Sequence, residues 1–339
     1  MSRSILYYVH HHGQGHLDRA KAIALQAPER FVLLGTRIAG RTGAVCSMDL
    51  DDDRPNEDGG TRCAVTPALH YAPQDHPGIR NRVATIAETI ARRAPALFVV
   101  DVSVEVGWLA VLASVPMVYV RLSGDRSDVA HEMVFRAAHR LIAPFHQDLD
   151  DPATPAWVVD KTIYLPGLTA AAPVARANGP RVLVVAGAGG TGYDGERIAA
   201  ACRATPGFQW RCIGPVSQPA VCPDNLVIVG WSPTPEREIA AASVVVGAAG
   251  DGLVSAVLAV NRPFICLPEV RPYQEQLRKA EALTRMKAAV VEAQWPEPAA
   301  WPALLERALC LDPRATAHLH DGAGVAHAAE QLIAMAQMV

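Results

Sequence analysis

Short runs of β-branched and aromatic residues alternate with helical periods along most of the chain. Residues 4–9 form the first run, and the spacing of Ala20, Ala22, Ile23, Ala24 and Leu25 predicts a helix over 17–26. Further strands read at 31–34, 97–100, 116–120 and 141–143, separated by helical periods at 81–93, 107–113 and 129–139. Residues 97–100 are wholly apolar, as in a parallel strand covered on both faces, and Asp101 stands at the end where such strands present ligand-binding groups. Over 148–180 the alternation gives way to Pro, Ala, Asp and Gly with one apolar island at 162–165. It then resumes with strands at 181–186, 208–213 and 226–229, an apolar run ending at Val246, and a strand at 263–267. Helical periods fall at 196–203, 235–241 and from Leu253 onward, and the tail from Trp301 is mostly helical.

Strand, turn and helix thus alternate twice. That predicts an α/β fold of two doubly wound Rossmann-like domains facing a cleft, with ligands at the carboxyl ends of the strands. The expected boundaries are a first domain over 1–165, a linker over 166–180, a second domain over 181–320 and a C-terminal helix over 321–339. Glycine loops at 13–15 and 187–192 follow the opening strand of each half.

Composition narrows the classes. No uninterrupted apolar run reaches the about 18 residues needed to span a bilayer, and the first strand lacks the pattern of a signal peptide, so a soluble, cytoplasmic protein is expected. A formal charge of −3 gives no basic surface for nucleic acid. The 7 cysteines have no CxxC spacing, which argues for reduced thiols and against a zinc site. His10, His11 and His12 leave a strand in succession and point alternately to opposite faces, so with His16 they make a poor metal set. The acidic stretch over 49–60 reads as a solvated loop.

The chemistry concentrates in residues 244–280. A strand runs into Gly247, Ala248, Ala249, Gly250, Asp251 and Gly252 and feeds an apolar helix, which places backbone N–H groups and a positive helix end where a phosphate could sit. A polar loop ending in Glu275 and Gln276 returns toward the same end of the sheet. The order of glycine turn, Ser255, small-residue helix, Arg262-Pro263, strand, Pro268, Glu275-Gln276 and Ala280 resembles the donor segment of GT-B glycosyltransferases, in particular the peptidoglycan N-acetylglucosaminyltransferase family. Gly13, Gly15, His16 and Arg19 are similar to the first loop of that family and of GT-B hydrolases that cleave nucleotide sugars.

The resemblance implies a metal-independent transferase that moves a sugar from a nucleoside diphosphate donor, a UDP-sugar foremost, to a small or lipid-linked acceptor, with inversion. No cofactor is implied beyond that substrate. On this reading Gly187, Gly189, Gly190, Trp231, Gly250, Asp251, Gly252, Leu253 and Ser255 serve the donor nucleotide, and Glu275 and Gln276 its sugar. Gly13, Gln14, Gly15 and Arg19 form the acceptor-side loop. His16 is the candidate base, since an imidazole of pKa about 6.5 accepts a proton near neutrality, with Asp101 to orient it and Glu105 as a second base candidate. One residue departs from the family: where many members carry a ribose-binding Glu after the Ser, Ala256 stands here. A nucleotide-sugar hydrolase and a catalytically inactive GT-B binding protein remain alternatives.

Overall fold

The computed structural model describes residues 3–11, 14–54, 66–169, 179–187, 190 and 192–338. The chain divides into two compact units. The first holds the residues up to Pro144, Thr154–Leu168 and those from Ala323 onward; the second holds Phe145–Ala153 and Thr169–Gly322.

The first unit contains β1 (Ile5–Val9), α1 (Gln14–Ala24), β2 (Phe31–Gly35), β3 (Cys46–Asp49), α2 (Pro77–Arg93), β4 (Leu97–Asp101), α3 (Val104–Leu112), β5 (Met117–Val120), α4 (Val129–Ala137), β6 (Arg140–Ala143), α5 (Ala156–Lys161) and β7 (Thr162–Tyr164). All seven strands are parallel, in the order β3-β2-β1-β4-β5-β6-β7. The order reverses beside β1, which pairs with β2 on one side and β4 on the other, so the loops after β1 and β4 diverge at this point.

The second unit contains β8 (Arg181–Val185), α6 (Gly195–Ala204), β9 (Gln209–Ile213), β10 (Leu226–Gly230), α7 (Pro235–Ala241), β11 (Val244–Gly247), α8 (Asp251–Ala259), β12 (Phe264–Cys266), α9 (Glu275–Arg285), β13 (Val290–Val291), α10 (Trp301–Leu309) and α11 (Pro313–Thr316). Its six strands are also parallel, in the order β10-β9-β8-β11-β12-β13, and the reversal lies between β8 and β11. The last helix, α12 (Gly324–Met338), returns to the first unit.

Alternation along each strand builds the cores. Tyr7, Val9, Leu33 and Val99 pack under α1 and α12, while Leu6, Tyr8, Phe98 and Val100 pack under α2, α3 and α4. In the second unit Val182, Val184, Val244 and Val246 meet Trp210 and Trp301, whose rings stand edge to face at 5.0 Å. Gly214 is fixed by geometry: at φ +88° a Cβ there would lie 1.9 Å from the Ala186 carbonyl oxygen.

Several elements differ from the expectations. The edge strands β3 and β7 were not evident because edge residues are partly exposed and carry mixed polarity. Helix α8 starts at Asp251, two residues before the predicted start, because polar Asp251 and Gly252 form its first turn. The apolar run from Ile239 to Val246 is split: Ile239 belongs to α7, which ends at Ala241, and the strand begins only at Val244. No helix among the described residues is long and apolar enough to cross a membrane.

Candidate functional site

At the carboxyl end of the first sheet, β1 leads into His16 on the first turn of α1, and β4 ends in Asp101. The reversal of strand order brings the two together. His16 Nδ1 lies 2.9 Å from Asp101 Oδ2, and Arg19 Nη2 lies 2.9 Å from each Asp101 oxygen. A carboxylate only accepts, so the Asp101 contact calls for the proton on Nδ1 and leaves the lone pair on Nε2; Arg19 Nη2 also lies 3.1 Å from Nδ1 and, being only a donor, makes no hydrogen bond to that nitrogen in this tautomer. Asp101 is fully buried and Arg19 nearly so. Burial alone would raise the Asp101 pKa, but the Arg19 guanidinium and His16 outweigh it and hold the carboxyl well below its usual range. Val102, the next residue, sits at φ 55°, an unusual conformation for a β-branched side chain, and turns the chain sharply into α3.

The other first-unit candidates have different partners. Arg19 was expected on the acceptor loop, but lies three residues after His16 on the inward face of α1 and is spent on Asp101. Glu105 accepts hydrogen bonds from the backbone N–H groups of His70 and Tyr71 at 2.8 and 2.9 Å and from Ser103 Oγ at 3.2 Å, so its carboxylate fastens a loop to α3. Gln14 bridges Arg41 and Asp18 on the surface. No atom lies within 4 Å of where a Gly15 Cβ would stand. Gly13 lies outside the described residues, as does His12.

A second polar group in this unit had no signal in the sequence, since its members are far apart in the chain. Asp128 caps α4 and accepts from His70 Nε2 at 2.8 Å and His131 Nδ1 at 2.5 Å. Burial pushes the His131 imidazole down to about 4. The three donor atoms could converge on a cation, as could those of His146, Asp148 and His318 in the second unit. Against a metal at the first cluster, Arg126 Nη1 stands 3.4 Å from His131 Nε2, where it donates to an imidazole protonated on Nδ1 and adds a positive charge.

At the carboxyl end of the second sheet the site is mostly backbone. Gly250 is the N-cap of α8 and supplies no capping side chain, so the N–H groups of the first turn point outward uncapped. Positions where a Cβ would stand on Gly250 and Gly252 have no atom within 4 Å, while Leu253 folds back to fill the space beside Gly247. Ser255, one turn on, is half-buried. This is an open helix N-terminus suited to an anion.

Around it, Gln276 is buried and its Oε1 accepts from the Ala249 and Glu269 N–H groups at 3.2 and 2.8 Å. It was expected to hold a donor sugar; its carbonyl oxygen ties the glycine turn to the loop after β12, and the side-chain amide is the group it could offer. Glu275 opens α9 after Tyr273 and Gln274, both left-handed at φ 59° and 54°. Gly190 packs against the Glu269 carboxylate, where a Cβ would lie 2.5 Å from Oε1; Gly187 has open space, and Gly189 lies outside the described residues. Trp231 follows Gly230 after β10 and is 67 % exposed.

Lys279 escaped the sequence reading. It is 1 % exposed, and its ammonium pairs with Asp251 Oδ1. The signal was there in the helical period: Gln276, Lys279, Ala280 and Leu283 make the buried stripe of α9.

No family model matches the sequence, and no curated protein matches it. Solved structures do match the fold. The spinosyn forosaminyltransferase SpnP superposes with a TM-score of 0.67 at 13 % identity, over 99 % of this chain and 95 % of that one. The calicheamicin glycosyltransferase CalG4 gives 0.67 at 16 % identity, over 100 % and 99 %. The spinosyn rhamnosyltransferase SpnG, complexed with thymidine diphosphate, gives 0.59 at 16 % identity, over 99 % and 96 %. Two parallel-sheet α/β units with this likeness make the chain a GT-B fold.

Proposed function

We propose that the protein is a glycosyltransferase that uses a pyrimidine nucleoside diphosphate sugar and a small-molecule hydroxyl acceptor. The observation that carries this reading is the 2.9 Å contact between His16 and the buried Asp101, which leaves Nε2 as a base. His16 takes the proton of the acceptor hydroxyl, and the freed oxygen attacks the anomeric carbon as its bond to the diphosphate breaks, giving inversion. Asp101 stabilises the imidazolium that forms. The leaving diphosphate gathers charge at the first turn of α8, where unpaired N–H groups and the helix dipole receive it without a metal. Trp231 offers a ring for the base to stack on.

Similarity to glycosyltransferases of calicheamicin and spinosyn supports a small acceptor over a lipid-linked one. The motif order over 244–280 keeps the likeness to the peptidoglycan N-acetylglucosaminyltransferase, but Ala256 lacks that family's ribose carboxylate. Uridine and thymidine donors are therefore both arms of the test, and hexosyl and N-acetylhexosaminyl forms are included in each. The free buried thiols of Cys202, Cys212 and Cys266 support a cytoplasmic setting.

The test is thermal shift against UDP-, TDP-, GDP- and ADP-sugars, followed by product analysis with hydroxylated acceptors. At ~100 Kd a bound donor adds ~2.7 kcal/mol of stability. His16→Ala is expected to keep that shift while losing turnover by ~10²–10⁴-fold. If no nucleotide sugar stabilises the protein, the reading fails; if donor is consumed equally with and without acceptor, hydrolysis replaces transfer.

A further inference from the structure

The chain places a carboxylate, Asp251, on the first turn of α8, where the reading above puts a diphosphate. A negative charge there is favourable for the empty helix but opposes an anionic ligand. Lys279 resolves the conflict. Its ammonium pairs with Asp251 Oδ1, and its position is fixed from the other side by the Phe145 ring, whose centroid is 4.4 Å from Nζ. The lysine side chain is 2 % exposed and that of Asp251 15 %, so solvent does little to screen the pair. Burying an ammonium is costly, and one retained in a stripe otherwise suited to apolar residues needs a reason. The adjacent Gln276 fixes the same turn by its Ala249 contact, so α9 supplies both the fastening and the charge.

We infer that Lys279 is a positioning residue of the donor site: by neutralising Asp251 and drawing its carboxylate toward α9, it makes the N-terminus of α8 able to accept the phosphates of a nucleoside diphosphate. Lys279 touches no phosphate itself. Its effect is electrostatic, acts through Asp251, and falls on phosphate-bearing ligands alone. The inference rests on the donor assignment proposed above.

The experiment is calorimetric titration of UDP, TDP and the bare nucleosides into wild type, Lys279→Met, Asp251→Asn and Asp251→Asn/Lys279→Met. Lys279→Met should weaken diphosphate binding by about ten- to a hundredfold, the range expected for an uncompensated charge some ~6–8 Å away at an effective dielectric constant of ~20, and leave nucleoside binding unchanged. Asp251→Asn should bind diphosphate as tightly as wild type or more tightly, and the double variant should recover what Lys279→Met lost. A double variant as weak as Lys279→Met would overturn the inference in favour of direct phosphate contact. Weakened binding by Asp251→Asn would overturn it in favour of Asp251 as a ligand-binding group. Equal loss of nucleoside and diphosphate would make the pair purely structural. If Lys279→Met melts too low to titrate, Lys279→Arg and the double variant carry the test, both expected within about threefold of wild type. Failure of wild type to bind either diphosphate sinks the donor assignment as well; normal wild-type binding with an unaffected Lys279→Met sinks this inference alone.

Discussion

The two sheets reverse their strand order in the same way, yet their carboxyl ends are built from different materials. In the first unit the reversal point holds titratable and charged side chains, His16, Asp101 and Arg19, joined by contacts of 2.9 Å. In the second it holds glycines and the uncapped start of α8, with the Lys279–Asp251 pair beside the turn. On the proposed reading the first end moves a proton and the second receives negative charge. The difference lies in whether side chains or backbone fill the loop after the strand.

Three changes break or sharpen that contrast. Asp101→Asn should have the largest effect, because it leaves the buried Arg19 guanidinium without its carboxylate; about 3–5 kcal/mol of stability is expected to go, measured by urea unfolding at pH 7. The native carboxyl pKa is depressed, so the unfolded chain binds the proton first as pH falls. Asp101 thus contributes fully above the unfolded value of ~3.9 and loses its contribution as pH drops below it toward the native value. Wild type and Asp101→Asn should accordingly converge in stability in acid, and a gap that stays constant below pH ~3.9 would contradict the ion pair. Gly252→Asp should come next. Open space at that position means little change in melting temperature, while the new carboxylate at the helix start should weaken nucleoside diphosphate binding at least about tenfold by calorimetry. Glu105→Gln should do least. Its role is to accept from loop N–H groups, which an amide oxygen can also do, so turnover is expected to stay within about threefold of wild type. A large loss of turnover at unchanged stability would instead make Glu105 part of the proton path.

The same contrast explains what the sequence could reveal. Runs such as 97–100 and 182–185 are apolar on both faces, and a central parallel strand leaves no other reading. The edge strands β3 and β7 carry no such constraint and were missed. Asp101 and His16 were legible because each ends or follows a buried strand, where a polar residue is conspicuous. Arg19 was singled out as a residue but not as their shared partner, since a basic residue early in a helix reads equally as solvated. Gln276 was found as a residue but not as a fastening for the turn, because a hydrogen bond to Ala249 depends on how two loops meet in space. The His70, Asp128 and His131 group joins an i,i+3 pair at the start of α4 to a residue 58 positions or more away, which no local pattern reveals.

Helix α12 carries a consequence for how the protein is made. Its Ala328, Ala329, Leu332 and Met335 are part of the same buried cluster as Tyr7, Leu33 and Val99, and its first residue approaches so closely that a Cβ on Gly324 would stand 2.0 Å from the Pro166 carbonyl oxygen. The unit begun first on the ribosome is therefore completed last. Until the chain has been synthesised through α12, the cluster that includes Tyr7 and Ile23 lacks its outer cover, while every strand of the second unit has already emerged; order of synthesis and order of completion run in opposite directions along this chain.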